Sequence, residues 1–467
     1  MTHLVPFVPV GGKRGSARTA GVDEGAAGSA SASAGSASAP GPAHIDGILE
    51  GGQLAGISAA SLAEEFGTPF FVYDLDLIER RVKALRDVLP RGFRVAFAVK
   101  ANPALAVVAQ LRRCGVGADV ASGGELETVL RAGFEPSVIT MTGPGKRDAE
   151  LSAAVSAGVG VITVESFGEL KRLETIAAAA GIRQRILLRL AVSEDARLET
   201  VRLIGGVEGK FGMPLAALTE AARAAADSPH LELLGLHAFG ASNLRDADLL
   251  ADHVAELVEI ARRVADEVGF PLRLVDAGGG LGIPYADGER QLDTDRLGRR
   301  LAAMRARWDA DADLGEMEVI LEPGRFLVGP AGAYVTRVVD VKGPDSAPVA
   351  ILDGGINHVV RPALVRSEHR LTVLATDAVR ALVPTTVAGP LCTGLDVFTT
   401  GAMLPRPRVG DLVALLDVGA YGFTESMPFF LSHPTAAEVA VKGGKAQLIR
   451  QRITPTELLD RQIDPDW

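Results

Sequence analysis

Short apolar segments alternate with segments of helical period through the middle of the chain. The apolar segments are rich in β-branched residues and bounded by glycine, proline or polar residues, which is typical of buried strands. Eight of them are predicted strands, at residues 93–99, 118–121, 138–141, 159–164, 186–191, 231–239, 272–276 and 317–321. Between them, apolar residues recur every three to four positions. Eight strand–helix units predict an α/β protein with a (β/α)8 (TIM) barrel, which usually takes ~250 residues, rather than an open sheet.

The pattern changes after Arg325. Short strands separated by turns follow, with little helical periodicity, at residues 333–341, 349–352, 371–374, 385–387, 412–416 and 437–441. We therefore predict that the barrel occupies residues 73–325 and that residues 326–467 form an all-β, Greek-key-like domain.

The N-terminal residues resemble neither part. Residues 12–43 are mostly Ala, Gly, Ser and Pro, which cannot bury enough apolar surface to offset the entropy lost on folding. Residues 1–44 are therefore predicted to be a disordered leader without a catalytic role. Residues 45–72 are expected to join the β domain, with a short helix near 61–66 and a strand at 68–74 that enters the first domain.

A lysine follows the first predicted barrel strand. Because the carboxyl ends of barrel strands share one mouth, the residues that end these strands should converge there. They are Lys100, Ser122, Glu165, His237, Gly278, Gly279, Gly280 and Glu322. Partial desolvation at such a site lowers the pKa of a lysine, and its neutral amine can then attack a carbonyl. The alternative is a lysine that only extends to solvent.

Three consecutive glycines, Gly278 to Gly280, follow the seventh strand. Their backbone amides can approach an anion closely, and a phosphate commonly binds at such a turn of a barrel. The spacing is neither that of a dinucleotide fingerprint nor that of a nucleotide triphosphate loop. Glu322 ends the eighth strand, where a carboxylate by itself could equally form a structural ion pair. A lysine for a Schiff base, glycines for a phosphate and an acid for a pyridine nitrogen together suggest pyridoxal 5'-phosphate (PLP).

The β domain contributes further candidates in loops. Cys392 lies in a Gly/Pro-rich loop near Asp396, where a role in proton transfer is plausible. Tyr421 lies between glycines, so its hydroxyl could meet a phosphate, although it could also be a core aromatic. Cys114, on a predicted helix, is expected to be inert.

Composition and charge narrow the function. The chain has 467 residues, with 48 Lys and Arg against 58 Asp and Glu and a formal charge of −10, so nucleic-acid binding is not expected. Two cysteines cannot form a disulfide scaffold or a cysteine-rich zinc site, and no metal site is expected. No signal pattern or membrane-length apolar run is present, which predicts a cytoplasmic protein with no membrane association.

Eight motifs occur in the order found in a known family. They are Val-Lys-Ala-Asn at 99–102, Asp-Val-Ala-Ser-Gly-Gly-Glu-Leu at 119–126, Lys-Phe-Gly at 210–212, Asp-Ala-Gly-Gly-Gly-Leu-Gly-Ile-Pro-Tyr at 276–285, Glu-Pro-Gly-Arg at 322–325, Arg-Pro-Ala-Leu at 361–364, Gly-Pro-Leu-Cys at 389–392 and Gly-Ala-Tyr-Gly-Phe at 419–423. Over residues 45–445 the chain resembles the fold-type III PLP decarboxylases, which include diaminopimelate and ornithine decarboxylases. The resemblance implies an obligate homodimer with sites shared between one barrel and the partner's β domain.

The resemblance also implies a role for each matching residue. Lys100 corresponds to the Schiff-base lysine, Glu322 to the partner of the pyridine nitrogen, and Cys392 to the acid that crosses the dimer and protonates Cα. The residues expected to bind the cofactor are Lys100, His237, Phe239, Ser242, Gly278, Gly279, Gly280, Glu322, Arg325 and Tyr421. Those expected near the substrate are Arg325, Arg361, Thr393 and Asp396.

The chain differs from the diaminopimelate decarboxylases at residues that, in those enzymes, bind the distal end of the substrate. Thr393 replaces a glutamate, Val365 replaces a tyrosine, and His358 follows Asn357 in place of an aspartate. A zwitterionic distal end would therefore be left with unpaired groups, which disfavours diaminopimelate.

A further departure suggests a different branch of the family. Phe239 replaces a histidine that stacks on the cofactor, and an aromatic face can still stack there. With Cys-Thr-Gly-Leu-Asp at 392–396 and Phe-Leu-Ser-His-Pro at 430–434, the chain is similar to a branch associated with secondary metabolism and exopolysaccharide loci, which includes an enzyme of butirosin synthesis acting on glutamate tethered to an acyl-carrier protein. We expect decarboxylation of an amino acid or a carrier-tethered amino acid; diaminopimelate decarboxylase, an amino-acid racemase and a non-catalytic regulatory homologue are the alternatives.

Overall fold

A computed structural model describes residues 47–191, 209–240, 242–365, 369–374 and 380–465. The predicted leader, residues 1–44, lies outside the described residues. Three short antiparallel strands begin the described chain, followed by a helix, a longer strand and a second helix. They are β1 (Leu49–Glu50), β2 (Gln53–Leu54), β3 (Ile57–Ser58), α1 (Ala59–Phe66), β4 (Phe70–Asp74) and α2 (Leu75–Val88). Helix α1 confirms the short helix expected near residues 61–66.

Eight parallel strands form a closed barrel, which confirms the predicted architecture. They are β5 (Phe93–Ala98), β6 (Gly117–Val120), β7 (Ile139–Met141), β8 (Val161–Val164), β9 (Gln184–Arg189), β10 (Leu231–His237), β11 (Leu274–Asp276) and β12 (Glu318–Leu321). Each strand pairs with the next, and β12 pairs with β5 to close the ring. Each observed strand overlaps one of the eight apolar segments that predicted it.

Helices connect consecutive barrel strands. They are α3 (Leu105–Arg113), α4 (Gly123–Arg131), α5 (Asp148–Ala157), α6 (Phe167–Ala180), α7 (Leu215–Asp227), α8 (Ala247–Val268) and α9 (Thr294–Asp309). Helix α2 packs against both α9 and α3 and so completes the outer ring. Local sequence explains the bounds of these helices: Asp246 accepts the amides of Asp248 and Leu249 at the start of α8, and Gly269, with φ 84°, ends it.

Apolar side chains fill the inside of the barrel. A cluster separate from the helix-facing core contains one buried residue from each of six strands: Ala96, Val161, Leu187, Leu234, Leu274 and Ile320. The barrel is therefore a packed core and not a pore, and polar chemistry is confined to its end.

The second domain consists mainly of strands. Its elements are α10 (Arg325–Val328), β13 (Gly332–Lys342), β14 (Val349–Leu352), α11 (Arg361–Val365), β15 (Leu371–Leu374), β16 (Leu382–Ala388), β17 (Val397–Pro405), β18 (Leu412–Leu416), β19 (Ala437–Lys442), β20 (Lys445–Arg450) and α12 (Pro455–Leu459). The sheet runs β17-β16-β14-β13-β4-β19-β20, and β18 pairs with both β13 and β15. All six predicted strands of this domain are present. Strands β17 and β20, whose residues are mostly half-buried or exposed and lack a clear apolar pattern, were not predicted.

Strand β4 lies in this sheet and not in the barrel. It pairs antiparallel with β13 and parallel with β19, whereas its sequence pattern predicted a strand that enters the barrel domain. All five of its residues are buried, because both of its edges are paired and both faces are covered. Helix α2 is thus the first element of the barrel layer.

None of the helices in the described part of the chain is long and apolar enough to cross a lipid bilayer.

Candidate active site

Lys100 lies in a single 3-10 turn, Val99–Ala101, directly after β5. Asn102 ends this turn, and its side-chain oxygen accepts the amide of Ala104 where α3 begins. The Lys100 side chain keeps 41% of its surface exposed, and its Nζ lies 4.0 Å from Asp119 Oδ2. The Phe239 ring centroid lies 5.3 Å from the same Nζ. The predicted position of the lysine at the end of its strand is therefore correct, and one face of an aromatic ring lies beside it.

Three carboxyl groups and one imidazole are buried below Lys100. Asp119 is the next-to-last residue of β6, His237 ends β10, Asp276 ends β11, and Glu322 follows β12. The nearest ligand atoms of His237, Asp276 and Glu322 all lie within 4.8 Å of one another, and His237 Nε2 lies 3.8 Å from Glu322 Oε2. Neighbouring strands of a parallel barrel end at the same face, which explains why these residues meet although they are distant in sequence.

Burial changes the ionisation of this acid cluster. Burial, followed by the charge of Glu322, raises the pKa of Asp119 to about 7, although Lys100 and a hydrogen bond from Thr142 oppose the shift. Burial and Glu322 also raise the pKa of Asp276 well above its usual range. Burial, assisted by the charge of Arg189, lowers the pKa of His237 to about 3, so this imidazole is neutral at pH 7.

The pKa of Lys100 moves in the direction opposite to the one expected. Desolvation lowers the pKa of this amine, as expected for a lysine at the end of a barrel strand. The negative groups of Asp119, Tyr421 and Glu322 outweigh desolvation and raise the pKa above its usual value. The sequence could not indicate this result, because the acids come from other strands and a loop of the β domain.

Several buried polar atoms in this cluster have no hydrogen-bond partner. They are Oδ2 of Asp119, both ring nitrogens of His237, Oδ2 of Asp276 and Oε1 of Glu322. Such atoms are costly to bury unpaired and are uncommon in folded proteins. Their concentration at one barrel mouth indicates that a polar or cationic group of a ligand belongs there.

The glycine turn passes close to the same groups. The Gly278 amide donates to Asp276 Oδ1 at 2.9 Å, and the Glu322 amide donates to the Gly278 carbonyl at 2.8 Å. A Cβ at Gly278 would lie 2.8 Å from the Phe239 ring, and one at Gly279 would lie 2.5 Å from the Glu322 carbonyl oxygen. Gly278 and Gly280 also have φ of 65° and 98°. Only glycine fits this turn without displacing the backbone.

Arg325 connects the remaining predicted anion ligands. Its Nη1 donates to the Tyr285 hydroxyl at 2.5 Å, and its Nη2 donates to Ser242 Oγ at 3.3 Å. Its Cζ lies 4.7 Å from the centroid of the Tyr421 ring. A guanidinium, two phenol rings and a serine hydroxyl beside glycine amides make a site suited to a phosphate dianion.

The loop carrying Tyr421 is fixed to the turn carrying Lys100 within the same chain. The Tyr421 amide donates to the Ala101 carbonyl at 2.8 Å, and Asn102 Nδ2 donates to the Gly419 carbonyl at 2.9 Å. Tyr421 itself has φ of 56°, a left-handed conformation that these hydrogen bonds maintain. The two domains therefore share one side of the site.

A cavity of 340 Å³ lies above Lys100. It is lined by Lys100, Pro103, Glu125, Tyr421, Thr424 and Glu425. Arg361, predicted near the substrate, lies behind this wall, with Cζ 4.8 Å from the Tyr421 ring centroid. Its Nη1 donates to both carboxylate oxygens of Glu425, at 3.0 and 2.9 Å. Glu425 was not among the predicted residues, and no local pattern marks it.

The loop of Cys392 is organised by Asp396. The two carboxylate oxygens of this buried aspartate accept the amides of Ile356 and Leu391, at 2.8 and 2.7 Å. Cys392 is exposed at the tip, and Thr393 Oγ1 accepts the amide of Leu395. In this chain Asp396 therefore fixes the shape of the loop, and Cys392 points outward from the β domain.

Two other predicted strand-end residues have structural partners. Ser122 Oγ accepts the Glu125 amide at the start of α4. Glu165 accepts the amides of Gly143 and Gly212 and binds Arg189 at 2.6 Å, so it holds neighbouring loops together. Asp119 and Asp276 were overlooked as site residues. Asp276 ends an apolar strand and could have been found on that signal, whereas Asp119 lies one residue before the end of β6.

Comparison with known proteins agrees with this geometry. The family described as "Pyridoxal-dependent decarboxylase, pyridoxal binding domain" matches residues 75–329. The chain belongs to the pyridoxal-dependent decarboxylase family. It is 35% identical to a diaminopimelate decarboxylase of Methanothermobacter thermautotrophicus over 415 residues, covering 88% of this chain and 95% of that protein. It is 30% identical to the L-glutamyl-[BtrI acyl-carrier protein] decarboxylase of Niallia circulans, covering 87% and 96%.

A solved structure resembles the whole described fold. The diaminopimelate decarboxylase of M. jannaschii has a TM-score of 0.83 at 27% identity, covering 89% of this chain and 97% of that one. The chain is thus a PLP-dependent decarboxylase, and the resemblance proposed from its motifs is confirmed.

The site of this decarboxylase fits PLP on its own chemistry. Unpaired buried carboxylate oxygens, Glu322 Oε1 among them, match a cationic ring nitrogen. The glycine turn and Arg325 match a phosphate, and Lys100 is the amine exposed at the same mouth. The Phe239 ring is half-buried beside Lys100 Nζ, whereas His237 is buried, with 2% of its surface exposed.

Proposed function

We propose that this decarboxylase removes the α-carboxylate of an amino acid, or of a carrier-tethered amino acid, other than diaminopimelate. One observation supports this site as the reaction centre. Lys100 Nζ, the unpaired Glu322 oxygen and the glycine turn all lie at the same mouth of the barrel. When bound there, PLP supplies an electron sink for the bond that breaks as CO2 leaves.

Different residues of the site have different proposed roles in binding PLP and in decarboxylation. We propose that Lys100 is the covalent attachment point of PLP and that Glu322 holds its ring nitrogen in the protonated state. Gly278, Gly279, Gly280, Ser242, Arg325 and Tyr421 would hold the phosphate, Phe239 would stack on the ring, and His237 would lie behind it. As a neutral imidazole, His237 adds no positive charge to compete with that ring nitrogen.

Cys392 is proposed to act across a homodimer. A proton must reach Cα after CO2 leaves, and a thiol on an exposed loop can deliver it only if that loop enters another site. Exposed apolar side chains on the β domain, such as Leu395 and Phe429 at 67% and 53%, suit burial against a second copy. The proposal is that Cys392 and Thr393 of each copy enter the cavity of its partner, and that the dimer is cytoplasmic.

The substrate preference rests on the residues that depart from diaminopimelate decarboxylases. Thr393 and Val365 offer neither the carboxylate nor the phenol that would pair with a zwitterionic distal end. The similarity to an enzyme acting on a carrier-bound glutamyl group favours a role in secondary metabolism. Diaminopimelate decarboxylation is the second candidate, favoured by the 35% identity to an enzyme of that name.

A screen of CO2 release tests this function. The purified holoenzyme would be given diaminopimelate, lysine, ornithine, glutamate and a glutamyl-carrier protein, with Lys100→Ala as the inactive control. We expect release from a substrate other than diaminopimelate. Loss of chirality without CO2 would indicate a racemase, and no turnover of any amine would indicate a regulatory homologue; either result contradicts the proposal.

A further inference from the structure

An ion pair within this chain lies in the wall of the cavity above Lys100. Arg361 is largely buried, with 10% of its side chain exposed, whereas the Glu425 side chain is 29% exposed and lines the cavity. Both oxygens of Glu425 accept from Arg361 Nη1. The guanidinium also lies over the Tyr421 ring, which lines the same cavity.

The cavity wall is otherwise acidic. Among the six described residues that line it, Lys100 is the one cation, and Lys100 is the proposed attachment point of PLP. Glu125 adds a second carboxylate, whose Oε2 accepts the Ala121 amide at 2.7 Å. Arg325, behind the Tyr421 ring, already donates to Ser242 and Tyr285. A ligand in this cavity therefore contacts two carboxylates, and the described wall contains no guanidinium that lacks a partner within the protein.

This arrangement has a consequence for the distal end of a substrate. A substrate with a free distal carboxylate would need a cationic side chain to bind it, and Arg361 is the basic residue placed to do so. To reach it, the carboxylate would have to displace Glu425 and would also meet its negative charge, and both effects oppose binding. An amide, an ester or a thioester carries no charge and meets neither obstacle.

We propose that Glu425, by pairing with Arg361, selects substrates whose distal end carries no free carboxylate. The inference rests on the proposed function and narrows its substrate class to amino acids with an uncharged distal group, such as a carrier-linked acyl group. It also gives Glu425 a specificity role that acts through Arg361.

Binding of unreactive ligands tests the inference without turnover. Glutarate and pimelate would each be compared with their monoamides by calorimetry on the holoenzyme, because these acids lack the amine that reacts. We expect the wild type to bind the monoamides about 10-fold more tightly, equivalent to ~1.4 kcal/mol. In Glu425→Gln, which keeps the shape of the side chain but frees Arg361 from a charged partner, the preference should fall at least about 5-fold.

Two further variants separate this effect from a general loss of charge. Glu318→Gln removes an exposed carboxylate that pairs with Arg94 at 3.0 Å at the start of β12, and it should leave the preference unchanged. The double variant Glu425→Gln, Arg361→Gln should lose the improved binding of the dicarboxylates. Tighter binding of the dicarboxylates than of the monoamides by the wild type, or an unchanged preference in Glu425→Gln, would overturn the inference.

Turnover distinguishes a failure of the inference from a failure of the proposed function. For glutamine and glutamate, which differ only in the distal group, Glu425→Gln should change the ratio of kcat/KM about 10-fold toward glutamate, mainly through KM. An enzyme that releases CO2 but shows no such change retains its function and refutes the role of Glu425. An enzyme with the predicted ligand preference but no CO2 release refutes the proposed function and retains the inference.

Discussion

The backbone amide of Tyr421 donates a hydrogen bond to the carbonyl of Ala101, the residue after Lys100. A loop of the β domain is thereby fixed to the turn that carries the barrel's key amine. The side-chain amide of Asn102 adds a second bond, to Gly419. Because Tyr421 also contacts Arg325 and Arg361 through its ring, the position of this loop sets both the anion site and the wall of the cavity.

Replacing Asn102 tests this connection between the domains. Asn102→Ala removes the bond to Gly419 and also the one that Asn102 Oδ1 accepts from the Ala104 amide. The buried Gly419 carbonyl left without that partner costs about 1–3 kcal/mol. We expect a lower melting temperature and a several-fold weaker affinity for PLP, measured by dialysis and absorbance. Tyr421→Phe is the matched control for the loop, since it keeps the backbone bond and should retain the melting temperature while weakening PLP binding.

Adding one methyl group to the glycine turn should close the anion site. In Gly279→Ala the new Cβ would lie 2.5 Å from the Glu322 carbonyl oxygen, so the turn or β12 must shift. We expect the dissociation constant for PLP to rise at least about 10-fold, and stability to fall by about 1–3 kcal/mol. Gly145→Ala, where nothing lies within 4 Å of the added Cβ, should change neither quantity. Equal effects in the two variants would show that the glycine turn is not a specific binding site for the phosphate of PLP.

Neutralising Glu322 should slow decarboxylation without detaching the cofactor. Glu322→Gln keeps the size of the side chain but removes the charge that favours a protonated ring nitrogen. We expect CO2 release to fall roughly 100-fold, a typical effect of losing one electrostatic contact at a reacting group. Borohydride reduction and peptide mass spectrometry should still find the cofactor on Lys100. Wild-type rates in Glu322→Gln would show that this acid has no part in the mechanism. Glu318→Gln, at the start of the strand that Glu322 follows, is the control.

The stability of the cofactor-free protein should depend on pH through Asp119. Its carboxyl keeps its proton up to a pKa of about 7 in the folded state, against 3.8 ordinarily, so folding favours the protonated form. Below pH 3.8 both states are protonated. As the pH rises to 7 the unfolded state loses its proton first, and the free energy of unfolding falls by about 4 kcal/mol.

Asp119→Asn removes that contribution. The difference in unfolding free energy between this variant and the wild type, measured by urea denaturation from pH 4 to 8, should therefore change across this interval and level off above pH 7. His237 titrates in the opposite sense in both proteins, because its folded pKa is lowered to about 3, and it largely cancels in the difference. A constant difference across the range would show that Asp119 is ionised in the folded chain.

Much of this centre could be predicted from the sequence because its chemistry sits at strand ends. Lys100, Glu322 and the glycines each follow an apolar strand, and a barrel brings such positions together whatever their separation along the chain. The acid cluster was harder to anticipate. Asp119 and Asp276 occur in quoted motifs, but their raised pKa values arise from burial and from Glu322, which only the folded arrangement determines.

Other features have no local signal at all. Glu425 is 64 residues from Arg361, and nothing in the surrounding sequence indicates that the two pair. Residues of strands β17 and β20 are mostly half-buried or exposed, so these strands lack the apolar pattern that identified the buried strands. The placement of β4 depends on pairing with β13 and β19, which lie hundreds of residues later.

The most direct test is a competition between two substrates in one reaction. Carboxyl-labelled diaminopimelate and a carboxyl-labelled glutamyl-carrier protein would be mixed with the holoenzyme, and the CO2 released from each would be counted by its isotope. We expect at least about 10-fold greater kcat/KM for the substrate with the uncharged distal end. Faster release from diaminopimelate would contradict it.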